Sequence, residues 1–108
     1  MGSASERLVW AEIPGIPQEA QRRLLDVVTR HPVVKEVWLY GSRAMGRHRP
    51  GSDIDLTVKG EGLSHGDLVG WMVAIDDLLL PWQVDLSPYK DLSGELRAHL
   101  ERVGRRLI

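Results

Sequence analysis

Two aspartates separated by a single residue, Asp53 and Asp55, are the first candidates for chemistry in this chain. They open a run, Asp53 to Val58, that alternates strictly, with Ile54, Leu56 and Val58 on one side and Asp53, Asp55 and Thr57 on the other, the period of a half-buried strand. Aspartate is a poor strand former. A strand rising about 3.3 Å per residue sets the two α-carbons roughly 6.6 Å apart with both carboxylates on one side. Their repulsion disfavours joint ionisation, and a cation between them relieves it. Carboxylates select hard, oxygen-seeking ions, and magnesium typically takes one or two protein carboxylates and completes its shell with water and substrate phosphate. The pair therefore predicts Mg2+ together with a phosphate ligand. Asp85 lies on the polar side of a second alternating run, Trp82 to Leu86, and supplies a third acid if the two strands are neighbours. Three acids suit a two-metal site.

A plainer reading competes, since alternating aspartates also suit the solvated face of an edge strand, where charge discourages aggregation. The preceding loop favours the site. Gly41 and Ser42 fall where a strand runs into a helix, so that free backbone N–H groups and a hydroxyl can hold phosphate oxygens, and Arg43 adds positive charge nearby. Ser42 as a mere helix cap is compatible with this, because a capped helix start is itself an anion site. Gly41 and Gly46 have the separation of a P-loop but lack its Lys and Ser/Thr, and that reading leaves the three acids idle. Arg47, His48 and Arg49 form a charged loop with no assigned role. His31, His65 and His99 show no metal-ligand spacing and are read as surface or helix-end residues.

The elements that must position these residues follow from periodicity and punctuation. Pro17 suits a first helical turn, and Ala20, Leu24, Val27 and Val28 recur at helical spacing until Pro32. Val33 to Tyr40 is a β-branched and aromatic strand ending at Gly41. Ser64 and Asp67 open a helix with an apolar stripe of Leu68, Met72, Ile75 and Leu79, stopped by Pro81. Ser93 caps a last helix with Leu96, Leu100, Val103 and Leu107 inward and Arg105 and Arg106 at its C-terminal end. Trp38, Trp71 and Trp82 fall in regular elements and are expected to pack there. Together these give an α/β (α+β) domain, a mixed, short-stranded sheet with helices packed on one face. Leu8 to Ile16, broken by Pro14 and Gly15, reads as an extended segment against its body.

With 108 residues, 43% of them hydrophobic, one domain with one modest core is expected. A formal charge of -1, from 14 basic and 15 acidic residues, provides no global field for a nucleic-acid backbone, so direct nucleic-acid binding is not expected. The lack of cysteine excludes disulfides, thiolate metal sites and cysteine nucleophiles. No apolar run approaches the roughly 20 residues of a membrane span, and no signal-peptide pattern is present, so a cytoplasmic protein is expected.

Gly41-Ser42, ten intervening residues and Asp53-x-Asp55 resemble the signature of the DNA polymerase beta-type nucleotidyltransferase superfamily. Arg43, Ala44, Gly46, Ser52, Ile54, Leu56 and Val58 are further similar to its minimal nucleotidyltransferases, the MntA-like antitoxins, and Val84-Asp85-Leu86 falls where that family carries its third acid. The resemblance implies a small nucleotidyltransferase domain over residues 17–108 after an N-terminal extension, 1–16. It implies that Gly41, Ser42 and Arg43 bind the nucleotide, and that Asp53, Asp55 and Asp85 hold magnesium and carry catalysis. The implied reaction moves AMP from ATP to a hydroxyl, with a tyrosine of a HEPN-domain toxin as acceptor and that toxin as partner in a hetero-oligomer. Two readings remain beside it: an antitoxin that binds nucleotide and neutralises its partner without catalysis, and an aminoglycoside- or nucleotide-modifying enzyme, for which the chain leaves little surface. The chain ends Gly104-Arg105-Arg106-Leu107-Ile108 where relatives often end Gly-x-x-Leu-Tyr.

Overall fold

Pro17 and Pro32 bracket the first helix. In the computed structural model, which describes residues 9–108, α1 runs Gln18–Thr29 and buries Leu24, Leu25, Val27 and Val28. Pro17 stands at its N-cap with φ already near the helical value. Strand β1 (Glu36–Tyr40) follows, then a single helical turn, α2 (Gly41–Ala44), and β2 (Ile54–Lys59). Helix α3 (His65–Asp76) starts on a full capping box, the Ser64 hydroxyl accepting from Asp67 N–H while the Asp67 carboxylate accepts from Ser64 N–H. Strand β3 (Val84–Pro88), a 3-10 turn (Tyr89–Asp91), α4 (Gly94–Val103, capped by Ser93) and β4 (Arg105–Arg106) complete the chain.

The four strands form one mixed sheet in the order β3-β2-β1-β4. β1 is antiparallel to β2 and β4, whereas β2 and β3 are parallel. A parallel pair needs a crossover, and α3 supplies it. Alternation then divides the side chains: Val37, Leu39, Ile54, Leu56 and Val58 join the α1 residues, Trp71, Ile75 and Leu107 in the main core. The segment before α1 packs into the same core through Ile13 and Ile16. Buried Gln21 ties it down, its Oε1 accepting Ile13 N–H at 2.7 Å and its Nε2 donating to the Ala11 carbonyl at 2.9 Å. On the other side of β1, Tyr40 packs with Leu92 and Leu100 in a second, smaller cluster, so α4 adds cover to the face that α1 and α3 leave open.

Several expectations need correction. The apolar stripe of α3 is rotated: Trp71 and Ile75 are buried, but Met72 is 59% and Leu79 87% exposed. Apolar residues lie nearly all round α3, so more than one face could turn inward, and the large Trp71 ring takes the buried place. Leu79 moreover lies beyond the helix, at φ +55°. The last helix ends at Val103, because Gly104 turns extended after its N–H closes on the Leu100 carbonyl at 2.7 Å. Arg105 and Arg106 thus pair with Leu39 and Trp38 as a strand, and Leu107 reaches the core from there. Leu96 is 39% exposed rather than inward-facing. The first strand begins at Glu36, three residues later than Val33. No helix among the described residues is long and apolar enough to cross a membrane.

Candidate active site

Tyr40, Asp55 and Asp85 stand directly opposite one another on three neighbouring strands, Tyr40 paired with Asp55 and Asp55 with Asp85. Opposed residues share a face. Their chain neighbours Leu39, Ile54 and Leu56 point into the main core, so the row lies on the other face. Val84 and Leu86, on either side of Asp85, pack against the same core and also line a groove of about 500 Å³ with Met72, Ile75 and Trp82. Asp53 stands two residues before Asp55, exposed, just ahead of β2. The structure thus sets Asp55 and Asp85 in register across two strands, with Asp53 two residues before Asp55 along the chain.

The row concentrates negative charge. Burial raises the Asp55 carboxyl above its ordinary range, the charges of Asp85 and Asp53 raise it further, and His99 acts in the opposite direction. The Tyr40 hydroxyl is pushed up by burial first and then by Asp55, with Ser87 opposing and Asp85 reinforcing. Among the described residues no group of three or more His, Cys, Asp or Glu side chains forms a preformed metal cage. The donor chemistry nevertheless fits magnesium. All three acids offer only oxygen, the half-buried one is destabilised by its neighbours' charge, and an ion that shares its shell with water and phosphates requires no protein cage.

Gly41 closes one side of this row. Its φ is +75°, and a β-carbon placed on it would lie 2.2 Å from Asp55 Oδ2. Only a residue without a side chain lets the backbone reach the carboxylate in this left-handed conformation. Gly41→Ala is expected to lower the melting temperature by several degrees, as the turn shifts away from Asp55. A thermal melt checks it, and a wild-type melting temperature would show that the close approach has no bearing on the fold. The Gly41 N–H donates to His99 Nε2 at 3.1 Å. The Ser42 side chain makes no hydrogen bond among the described residues.

Arg43 has a different place from the one its sequence suggests. It is 1% exposed, with Nη1 donating to the Pro14 carbonyl at 2.8 Å and Nε and Nη2 donating to the Ser52 carbonyl at 3.2 and 2.8 Å. Burial lowers its pKa. The guanidinium therefore pins the loop before β2 to the segment before α1, a corrected role that leaves charge in this loop to exposed Arg47 and Arg49. Arg43→Met should cost at least about 2 kcal/mol in a urea melt, since a buried guanidinium and its bonds to two part-buried carbonyls are lost. A cost below about 0.5 kcal/mol would mean that the pin does not matter.

The nucleotidyltransferase domain family matches residues 21–104. The chain belongs to this family. The matched span contains the helical turn, all three acids and α4, and the domain's sheet is the frame on which they are arranged. No curated protein matches the chain significantly in sequence. Solved structures share the fold of this nucleotidyltransferase domain. A toxin-antitoxin structure with AMP-PNP aligns with a TM-score of 0.68 at 22% identity, over 86% of this chain and 73% of its own. A tri-AMPylated HEPN toxin of Shewanella oneidensis in complex with its MNT antitoxin aligns with a TM-score of 0.65 at 19% identity, over 84% and 71%. The MntA-HepT toxin-antitoxin gives a TM-score of 0.65 at 19% identity, over 85% and 72%. At such identities the likeness is one of fold.

Two residues beside the acids escaped the sequence reading. Tyr40 reads as the last hydrophobic of a strand, and His99 as a surface position on an amphipathic helix. Their partners lie across the sheet or 58 residues away, and no local pattern encodes that distance.

Proposed function

We propose that this domain transfers AMP from ATP, with magnesium, to a hydroxyl of a helical HEPN-domain partner, a tyrosine by preference, and so acts in the cytoplasm as an antitoxin. The observation that carries the reading is the in-register pairing of Asp55 with Asp85, with Gly41 pressed against Asp55. The fold shared with toxin-antitoxin structures, one with AMP-PNP and one with a tri-AMPylated HEPN toxin, supports the choice of nucleotide and partner.

In this mechanism Gly41 and Ser42 hold the triphosphate, Ser42 through its hydroxyl. Asp53, Asp55 and Asp85 would hold magnesium, which when bound neutralises charge on the reacting phosphate. The acceptor oxygen attacks the α-phosphorus in line, the new P–O bond forms as the bond to pyrophosphate breaks, and Asp85 takes the hydroxyl proton. Asp55 supplies a carboxylate that would hold the magnesium ion, and the loop cations Arg47 and Arg49 remain for the triphosphate tail. The domain contributes position and charge.

Co-expression with the product of the neighbouring reading frame, expected on this reading to be a HEPN-domain protein, tests the proposal. Mass spectrometry should find the partner heavier by whole adenylyl units with the wild-type enzyme only, and ATP should raise the melting temperature with magnesium far more than with a chelator. A partner that is bound and neutralised but never modified would establish instead an antitoxin acting by binding alone. Equal shifts with and without the chelator would remove magnesium from the site.

A further inference from the structure

His99 sits in the middle of α4 and is the point at which that helix meets the nucleotide turn. Its Nε2 accepts the Gly41 N–H at 3.1 Å, and its ring meets Tyr40 edge-on, with centroids 6.4 Å apart and planes at 81°. Leu100, the next residue, anchors α4 in the cluster with Tyr40 and Leu92. The imidazole is thus fixed from two sides, by packing and by a backbone donor. The hydrogen bond from Gly41 engages the Nε2 lone pair. With that lone pair occupied by Gly41, His99 is poorly placed to be the base that takes a hydroxyl proton.

Gly41 is where this bond has its effect. Its left-handed conformation and its contact with Asp55 leave little tolerance, and the turn it starts carries Ser42. A free amide at the start of a one-turn helix has no partner within the helix to hold it. We propose that His99 is a positioning residue for nucleotide binding: by accepting the Gly41 N–H it locks the turn against Asp55, so that the Ser42 hydroxyl is in place before the triphosphate arrives. This consequence for the nucleotide rests on the transferase reading above, whereas the lock itself exists without ligand.

The test uses the full chain, 15N-labelled and free of nucleotide, as wild type, His99→Ala and His99→Gln, with magnesium-ATP as the titrant. Loss of the acceptor should speed hydrogen exchange of the Gly41 amide at least about tenfold and weaken magnesium-ATP binding by roughly fivefold to tenfold, the scale of one ordinary hydrogen bond. His99→Gln, whose side-chain oxygen reaches about as far as Nε2, should restore most of both while all three variants melt within a few degrees of one another. A purely structural role would move the melting temperature and leave the Gln variant no better than Ala. If the Ala variant does not fold, His99→Asn, which has the same amide but falls short of Gly41, replaces it. Unchanged Gly41 exchange in the Ala or Asn variant overturns the proposal. A wild type that binds no magnesium-ATP removes the transferase reading instead, and the exchange measurement still decides whether His99 locks the turn.

Discussion

Replacing Asp55 with Asn is expected to make the protein more stable near neutral pH and to reduce AMP transfer by at least roughly a thousandfold. The two effects share one cause. Asp55 is half-buried beside Asp85 and Asp53, and its carboxyl is raised first by burial and then by those charges, so the fold disfavours its ionised form. A carboxyl whose folded pKa lies above its unfolded one binds more protons in the folded state. Stability is therefore highest below the unfolded pKa and falls as pH rises through the folded one. Asn removes that loss, so the melting-temperature gain should be present at neutral pH and vanish in acid, below the ordinary carboxylate range. On the proposed mechanism transfer fails because a carboxylate that would hold magnesium is gone, and a loss of several kcal/mol in the transition state corresponds to about a factor of ten per 1.4 kcal/mol. Thermal melts across pH and transfer from α-labelled ATP check both parts. A destabilised variant at neutral pH would contradict the electrostatic account, and retained transfer would remove Asp55 from the chemistry.

Asp85→Asn should separate binding from turnover. Asp85 is exposed on the outermost strand of the sheet, opposite Asp55 but on the far side from Gly41. A group so placed faces an incoming acceptor more than the triphosphate tail. Taking the hydroxyl proton is needed in the transition state and not for holding nucleotide, so magnesium-ATP affinity should stay within a few-fold while turnover falls by at least roughly a hundredfold. Calorimetry and a transfer assay on one preparation decide it. Near-normal turnover would make Asp85 a solvated strand residue and leave Asp53 and Asp55 to account for the reaction.

The geometry of the candidate site is legible wherever the message is local. The alternation around Asp53 and Asp55 survives translation into structure because the strand period is fixed by the backbone, and Gly41 stands out because a glycine at a strand end marks a turn. The register of Asp85 against Asp55 was not legible, since parallel partners carry no hairpin to align them and a shift of one residue would send Asp85 to the core. Arg43 was misread for a related reason. A cation in a Gly- and Arg-rich loop suggests phosphate, yet the carbonyls of Pro14 and Ser52 that claim it are chosen by tertiary packing. The rotation of α3 reflects an apolar surface nearly all round, on which Trp71 rather than Met72 turns inward. Helix α4 was extended too far because Leu107 continues its apolar period, although Gly104 ends the helix and β1 recruits the residues beyond it as a strand.

The pairing of strands also sets the order in which the site can come into being. Gly41 and Asp55 are joined by an antiparallel pair whose strands are linked through the turn itself, a local closure. Asp85 joins only after the chain has run through α3 and returned to lie parallel to β2, 30 residues beyond Asp55. Closing that longer path costs more chain entropy and belongs to the slower class of folding events. During refolding, the pairing of β1 with β2 is therefore expected to form ahead of that of β2 with β3, and on the proposed mechanism ATP binding should recover before turnover.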